Sequence, residues 1–152
     1  MTSVFQSPVG NLYITTSVKK VVAILWNTRN DLTDNLDALH LKCHNQLSEY
    51  FDGERQKFDL PLSLKGTVFQ IEVWNELIKL QFGSYTSYGQ ISQKLGDIKK
   101  SRAVGGAIGA NLIMIACHRV IGINQSLTGY AGGVKAKGFL LNLEKGQTNL
   151  FI

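Results

Sequence analysis

Cys117 is followed directly by His118, Arg119 and Val120, so one of the chain's two cysteines stands beside an imidazole and a guanidinium. A neighbouring cation favours the thiolate, the nucleophilic form of cysteine, and an imidazole is a suitable acceptor for the thiol proton. The chemistry open to such a triplet is displacement at an electrophilic carbon with sulfur as the attacking atom. The same cysteine, following Ile113-Met114-Ile115-Ala116, also reads as a small buried side chain on a strand whose neighbours alternate between faces. The surrounding elements have to decide between the two.

His40, Cys43 and His44 form a second cluster, at helical spacing that suits a metal. No fourth ligand is evident, so helix packing and no metal are expected there. Cys43 shares an apolar stripe with Leu39 and Leu47 and reads as an inert buried thiol.

A chain of 152 residues with 44% hydrophobic content buries a core without needing a disulfide or a metal. No basic N-terminal region precedes a long apolar run, and no segment approaches the roughly 18 to 20 apolar residues of a membrane span. A cytoplasmic protein with free thiols is expected, or a nuclear one in a eukaryote. Residues 1 to 65 carry seven Lys/Arg against seven acids, so the whole net charge of +5 lies in residues 66 to 152. An anionic partner for that second part follows, nucleic acid being the commonest.

The elements divide in the same way. Val4-Phe5, Leu12 to Thr16 and Val21 to Trp26 read as short strands joined by turns, and a helix carrying Leu36, Leu39, Cys43, Leu47, Tyr50 and Phe51 follows, with N-caps offered by Asp31 to Asp34. The segment from Gly53 to Gly66 reads as a connector between lobes. Thr67 caps a helix to Leu80 whose face holds Phe69, Val73, Trp74 and Leu77, with Trp74 and Phe69 in the core. Thr86 or Ser87 caps Tyr88 to Leu95, Gly96 stops it, and a third helix runs from Ser101 to about Gly109. Two short helices joined by a lysine-bearing turn predict a helix-turn-helix. The fold class is therefore α/β (α+β): a strand-rich N-terminal lobe with a helix over 1–60, then a mostly helical domain over 61–152.

The third helix contains Gly105, Gly106 and Gly109, each costing roughly 0.8 to 1 kcal/mol against alanine in a helix interior. A slim helix lets its backbone approach another helix or the walls of a nucleic-acid groove. With Arg102 in its first turn, one long cationic side chain projects from an otherwise flat surface, as a minor groove or a vacated base position requires.

Gly66-Thr67-Val68-Phe69-Gln70, Val73-Trp74, Thr86 to Ile91, Arg102 to Ala107, Cys117 to Val120 and Leu127 to Gly133 occur in the order seen in O6-alkylguanine-DNA alkyltransferases, and Lys137 to Glu144 continues it. The chain resembles that family over about residues 66–144. The resemblance implies direct-reversal DNA repair: a damaged guanine leaves the duplex, its O6-alkyl group passes irreversibly to Cys117, and each molecule acts once. It assigns His118 as the base acting through a water, Glu144 as the group that orients His118, and Tyr88 as proton donor to the leaving purine near the phosphate. Arg102, Ala103, Gly105, Gly106 and Tyr88 are implied to meet DNA. Val120, Tyr130, Ala131, Gly132 and Asn111 are implied to line the base pocket, with backbone groups near Val120 and Ala131 reading the guanine edge.

Between Asn111 and Cys117 the chain is two residues shorter than the family pattern, Ala116 replaces a proline, and Gln125 stands where a turn glycine is frequent. An even deletion keeps side-chain parity along a strand, so Cys117 still faces the pocket if the end of the helix or its following turn absorbs the loss. The partner implied is double-stranded DNA containing O6-alkylguanine, with O4-alkylthymine as a second lesion, and a monomer without cofactor is expected. Two other functions use the same residues: a non-transferring alkyltransferase-like damage sensor, and a cysteine hydrolase.

Overall fold

A computed structural model describes residues 1–28, 30–110, 117–121 and 133–146. The chain divides into two compact units, Met1–Leu64 and Lys65–Ile152. Five strands and five helices are present among the described residues, a mixed α and β architecture.

The first unit is an antiparallel meander of β1 (Thr2–Ser7), β2 (Gly10–Ser17) and β3 (Lys20–Leu25), backed by helix α1 (Ala38–Phe51). Leu12, Ile14 and Thr16 of β2 alternate inward and pack with Val21, Ile24, Cys43, Leu47 and Tyr50. The cap of α1 is Asp37, whose carboxylate accepts from the His40 amide at 2.9 Å, and not the earlier Asp31 or Asp34. The buried stripe is correspondingly rotated to include His40 and Gln46, while Leu36 and Leu39 are only partly covered. The stretch expected as a connector is stitched into this unit. The Gln46 side chain brackets the Asp59 backbone with bonds of 3.0 and 2.9 Å, and the Val21 amide and carbonyl bond Pro61 and Ser63.

In the second unit, α2 (Val68–Ile78) opens with a capping box between Thr67 and Gln70, and α3 (Tyr88–Lys94) with one between Ser87 and Gln90. Gly96 takes φ +97° beyond α3, and a 3-10 turn over Ile98–Lys100 leads into α4 (Ser101–Gly109). Helices α3 and α4 pack on each other as a helix-turn-helix, joined through Ser92, whose hydroxyl donates to the Tyr88 carbonyl at 3.0 Å and lies 3.3 Å from the Ser101 hydroxyl oxygen. Strand β4 (Thr86–Ser87) pairs in parallel with β5 (Val120–Ile121), and α5 (Val134–Lys145) closes the described chain. Val73, Trp74, Leu77, Ile91, Val104, Ala107, Leu140 and Leu141 form the core. Phe69 is not part of it: its ring is half-buried under the Lys100 ammonium at 5.8 Å, a cation–π contact.

The His40–His44 pair of the first unit is held by hydroxyls. Ser3 Oγ lies 2.6 Å from His40 Nδ1 and 2.9 Å from His44 Nε2, and Thr16 Oγ1 lies 3.0 Å from His40 Nε2. Burial pushes both histidines below the ordinary 6.5; the N-terminal ammonium adds to this at His40 while Asp37 opposes it, and His40 adds to it at His44. Groups that resist protonation when folded contribute their full stability above pH 6.5 and lose it as the pH falls, by at most about 1.4 kcal/mol per histidine and pH unit. Urea unfolding is accordingly expected to show stability falling from pH 7.5 to 5.5, with a shallower slope in His40→Gln.

Candidate active site

The Cys117 segment is a 3-10 turn, Cys117–Arg119, and only Val120 and Ile121 are strand. This corrects the expectation of a strand with alternating faces. In a tight turn successive side chains fan around the axis, so Cys117, His118 and Arg119 are all buried together. The shortened approach, with Asn111 and Ala116, lies outside the described residues, as do Gln125, Tyr130, Ala131 and Gly132.

His118 and Arg119 both reach the carboxylate of Glu144 on α5. Arg119 Nε donates to Glu144 Oε1 at 2.8 Å and Nη2 to Oε2 at 2.9 Å, a two-point fork, while Nη1 donates to the Leu80 carbonyl at 2.9 Å. The Gly83 amide adds a bond of 3.1 Å to Oε1, and His118 Nε2 donates to Oε2 at 2.5 Å. Burial by itself raises the Glu144 carboxyl, but the bonds and charges of His118 and Arg119 outweigh it and hold the group down at about 2. His118 is completely buried, and that burial lowers its proton affinity; Glu144 pulls the other way, and Arg119 and Lys137 add to the lowering. Burial thus favours the neutral imidazole, and the ionised Glu144 carboxylate holds the ring hydrogen on Nε2. The imidazole Nδ1 is buried without a hydrogen-bond partner among the described residues, so its lone pair is open to a proton.

Cys117 is 7% exposed, with Sγ 4.0 Å from the Ile108 carbonyl of α4. Lys137 interacts with it electrostatically, while the Arg119 guanidinium is turned to Glu144 and Leu80. Lys137 is 1% exposed; burial brings its ammonium down to about 8 and the charge of Cys117 opposes that shift. The sequence reading gave Lys137 no role. The signal was present in the spacing: Lys137, Leu140, Leu141 and Glu144 fall at i, i+3, i+4 and i+7 and are all buried, so two charged residues occupy the apolar stripe of α5. Cys43, by contrast, is fully buried in the first unit with its thiol pushed up to about 11, chiefly by burial.

Pairing of Thr86 with Val120 and Ser87 with Ile121 brings the segment carrying Tyr88 alongside the one carrying Cys117. Val120 is fully buried in that ladder. Tyr88, the first residue of α3, has its ring 3.9 Å from where a Cβ on Gly105 would stand. Helix α4 has two faces. Val104, Ala107 and Ile108 are buried, and the Trp74 indole of α2 donates to the Ala107 carbonyl at 2.8 Å. Arg102, Ala103, Gly106 and Gly109 are exposed, and a Cβ at Gly106 or Gly109 would meet nothing within 4 Å.

Fold and site together define a protein with a helix-turn-helix whose exposed face is flat and cationic, built around a buried thiol and an imidazole–carboxylate pair. Residues 68–146 match the family model described as 6-O-methylguanine DNA methyltransferase, DNA binding domain, and residues 1–64 match its ribonuclease-like domain. The chain belongs to the 6-O-methylguanine DNA methyltransferase family, and its second unit is a DNA-binding domain. It is 40% identical over 152 residues to the constitutive methylated-DNA–protein-cysteine methyltransferase of Bacillus subtilis, covering 92% of each chain. The methylated-DNA–protein-cysteine methyltransferase of Methanosarcina acetivorans is 38% identical over 150 residues, with 93% of this chain and 96% of the relative covered. The crystal structure of Mycobacterium tuberculosis OGT in complex with DNA superposes with a TM-score of 0.88 at 38% identity, covering 95% of this chain and 92% of that one. No helix among the described residues is long and apolar enough to cross a membrane.

Glycines at the site separate into two kinds, and substitution tells them apart. Gly106→Ala relieves a helix-interior glycine in open space and is expected to stabilise the protein by about 1 kcal/mol. Gly83 has φ +79° and a Cβ there would stand 3.2 Å from the Glu144 carbonyl oxygen, so Gly83→Ala is expected to destabilise by about 1–2 kcal/mol. Thermal unfolding of the two variants beside the parent checks both signs.

Proposed function

We propose that this chain repairs DNA by direct reversal, with Cys117 as the acceptor of the O6-alkyl group of a guanine turned out of the duplex. The observation that carries this reading is the Nδ1 of buried His118, which has no hydrogen-bond partner among the described residues and belongs to the residue next to Cys117 in sequence, with its other nitrogen tied to Glu144. The Cys117 proton passes to His118 Nδ1, directly or through a water, and the imidazolium formed is stabilised by Glu144. Sulfur attacks the alkyl carbon, the S–C bond forms as the C–O6 bond breaks, and the electron pair leaves with the purine. Tyr88 supplies the purine's proton. Lys137 favours the thiolate by its charge. A thioether has no ready leaving group, so the reaction runs once per molecule. O4-alkylthymine presents the same alkyl carbon and is a second substrate. The protein acts as a monomer in the cytoplasm or nucleus and takes no cofactor.

Removing a base from the stack costs a few kcal/mol, which the lobe that meets DNA has to supply. The exposed face of α4 fits that task. Gly106 and Gly109 permit the backbone to lie against sugar and phosphate, Ala103 adds little bulk, and Arg102 fills the place of the absent base. Gly105 lets α4 close on Tyr88. Val120, with Asn111, Tyr130, Ala131 and Gly132, forms the base pocket in this reading.

Intact-mass analysis after mixing with duplex DNA bearing O6-methylguanine is the deciding experiment. One added methyl group per chain, mapped to Cys117 and abolished in Cys117→Ser with lesion binding retained, is expected. No added mass on the parent protein would favour the non-transferring sensor, and repeated release of product would favour the hydrolase. For the α4 face, Gly106→Ala is expected to weaken duplex binding by about fivefold or more, since overpacking a close approach costs about 1–3 kcal/mol. Arg102→Ala is expected to slow repair of duplex more than repair of the free base, as measured by single-turnover transfer to each substrate; equal loss on both would mark Arg102 as structural.

A further inference from the structure

We propose that Arg119 is a positioning residue that keeps the His118 imidazole neutral and its Nδ1 lone pair available, by neutralising Glu144 without detaching it from His118. The proposal deepens the reading of His118 as the base for Cys117 and rests on it for its catalytic meaning. Its electrostatic content stands apart from that reading.

The geometry separates what Arg119 does to Glu144 from what it does elsewhere. Nε and Nη2 cover both carboxylate oxygens at 2.8 and 2.9 Å, while Nη1 alone ties the Leu80 carbonyl. Guanidinium does not lose its proton in proteins, so the positive charge that Arg119 sets against Glu144 is permanent. A carboxylate left alone against a buried imidazole favours the imidazolium, because each charge relieves the other where water is excluded. With Arg119 already paired to the carboxylate, that gain is largely spent, and a second positive charge on His118 would face a site already balanced.

The other groups facing His118 act in the same direction. Glu144 and Lys137 reach it from α5, and Arg119 and Cys117 flank it on its own turn. Glu144 is the only anion among them until the thiol ionises, and two cations stand against it, the guanidinium permanently and the Lys137 ammonium up to about pH 8. The Nε2–Glu144 bond still selects the tautomer, so the hydrogen sits on the side away from the base position. Arg119 thus separates two properties that a His–carboxylate pair alone would couple: the orientation of the ring and its affinity for a proton. Were Arg119 only a strut to Leu80, its replacement would change stability and leave the titration of His118 alone.

Histidine-ring NMR on the full chain tests this directly, because the sequence holds only His40, His44 and His118. Arg119→Gln keeps a hydrogen-bonding group and removes the charge. In that variant His118 is expected to titrate about one pH unit or more higher than in the parent, in keeping with an opposite charge left unbalanced beside it. His40 and His44 should not move. The acid limb of Cys117 alkylation by O6-methylguanine DNA should rise by the same amount. Arg119→Lys, whose single ammonium spans one oxygen at a time, should give a smaller upward shift, and it carries the test if the Gln variant does not fold. An unmoved His118 titration in a folded variant overturns the proposal while leaving the thiol chemistry untouched. A shifted titration with an unshifted acid limb upholds the proposal and instead removes His118 as the base.

Discussion

A carboxylate shielded from water remains ionised only if its lost hydration is replaced, and Glu144 takes that replacement from two other stretches of chain. Arg119 and His118 come from the turn before β5, Gly83 from the loop after α2, and the carboxylate itself from α5. None of these stretches satisfies its buried polar groups without the others. Deleting one partner of such a cluster leaves an uncompensated charge, a loss of about 3–5 kcal/mol in comparable buried pairs. The reactive turn therefore has a defined shape only when the second unit is folded around it. A nucleophile placed on a freely moving loop would have no fixed relation to its base.

Helix α4 meets opposing demands on its two sides. Inward, Val104, Ala107 and Ile108 bury apolar surface, and the Trp74 indole fixes the Ala107 carbonyl. Outward, residues with little or no side chain leave the backbone bare. Glycine is a poor helix former, so the helix depends on its inner face and on the Ser92–Ser101 link for definition. The carbonyl of Ile108 lies against Cys117 Sγ, so the inner face of the same helix also forms a wall of the thiol site.

What could be read from the sequence depended on whether the signal was local. The capping boxes at Thr67–Gln70 and Ser87–Gln90 are four-residue patterns whose geometry follows from the backbone they complete, and Gly96 marks its turn because only glycine readily takes that φ. Asp37 was passed over for Asp31 and Asp34 because all three precede the same apolar stripe, and only the packing of His40 against Ser3 and Thr16 sets the helix start. Phe69 lies on the right face of α2 yet near its exposed beginning, where Lys100 covers it. The 3-10 turn at Cys117 has no periodicity to detect. Arg119 and Glu144 are 25 residues apart, and nothing in the local pattern of either predicts that the guanidinium serves the carboxylate and not the thiol.

The indole bond to Ala107 gives the protein an optical property as well as a mechanical one. The chain has two tryptophans, one in each unit: Trp26 donates to the Val9 carbonyl at 3.0 Å, and Trp74 donates to the backbone of α4. Indole emission shifts in wavelength and intensity with the field and hydrogen bonding at its nitrogen. Each unit therefore carries a native fluorophore anchored to its own backbone, and in a Trp26→Phe background the remaining emission reports from the inner face of the helix that borders the thiol, without any added label.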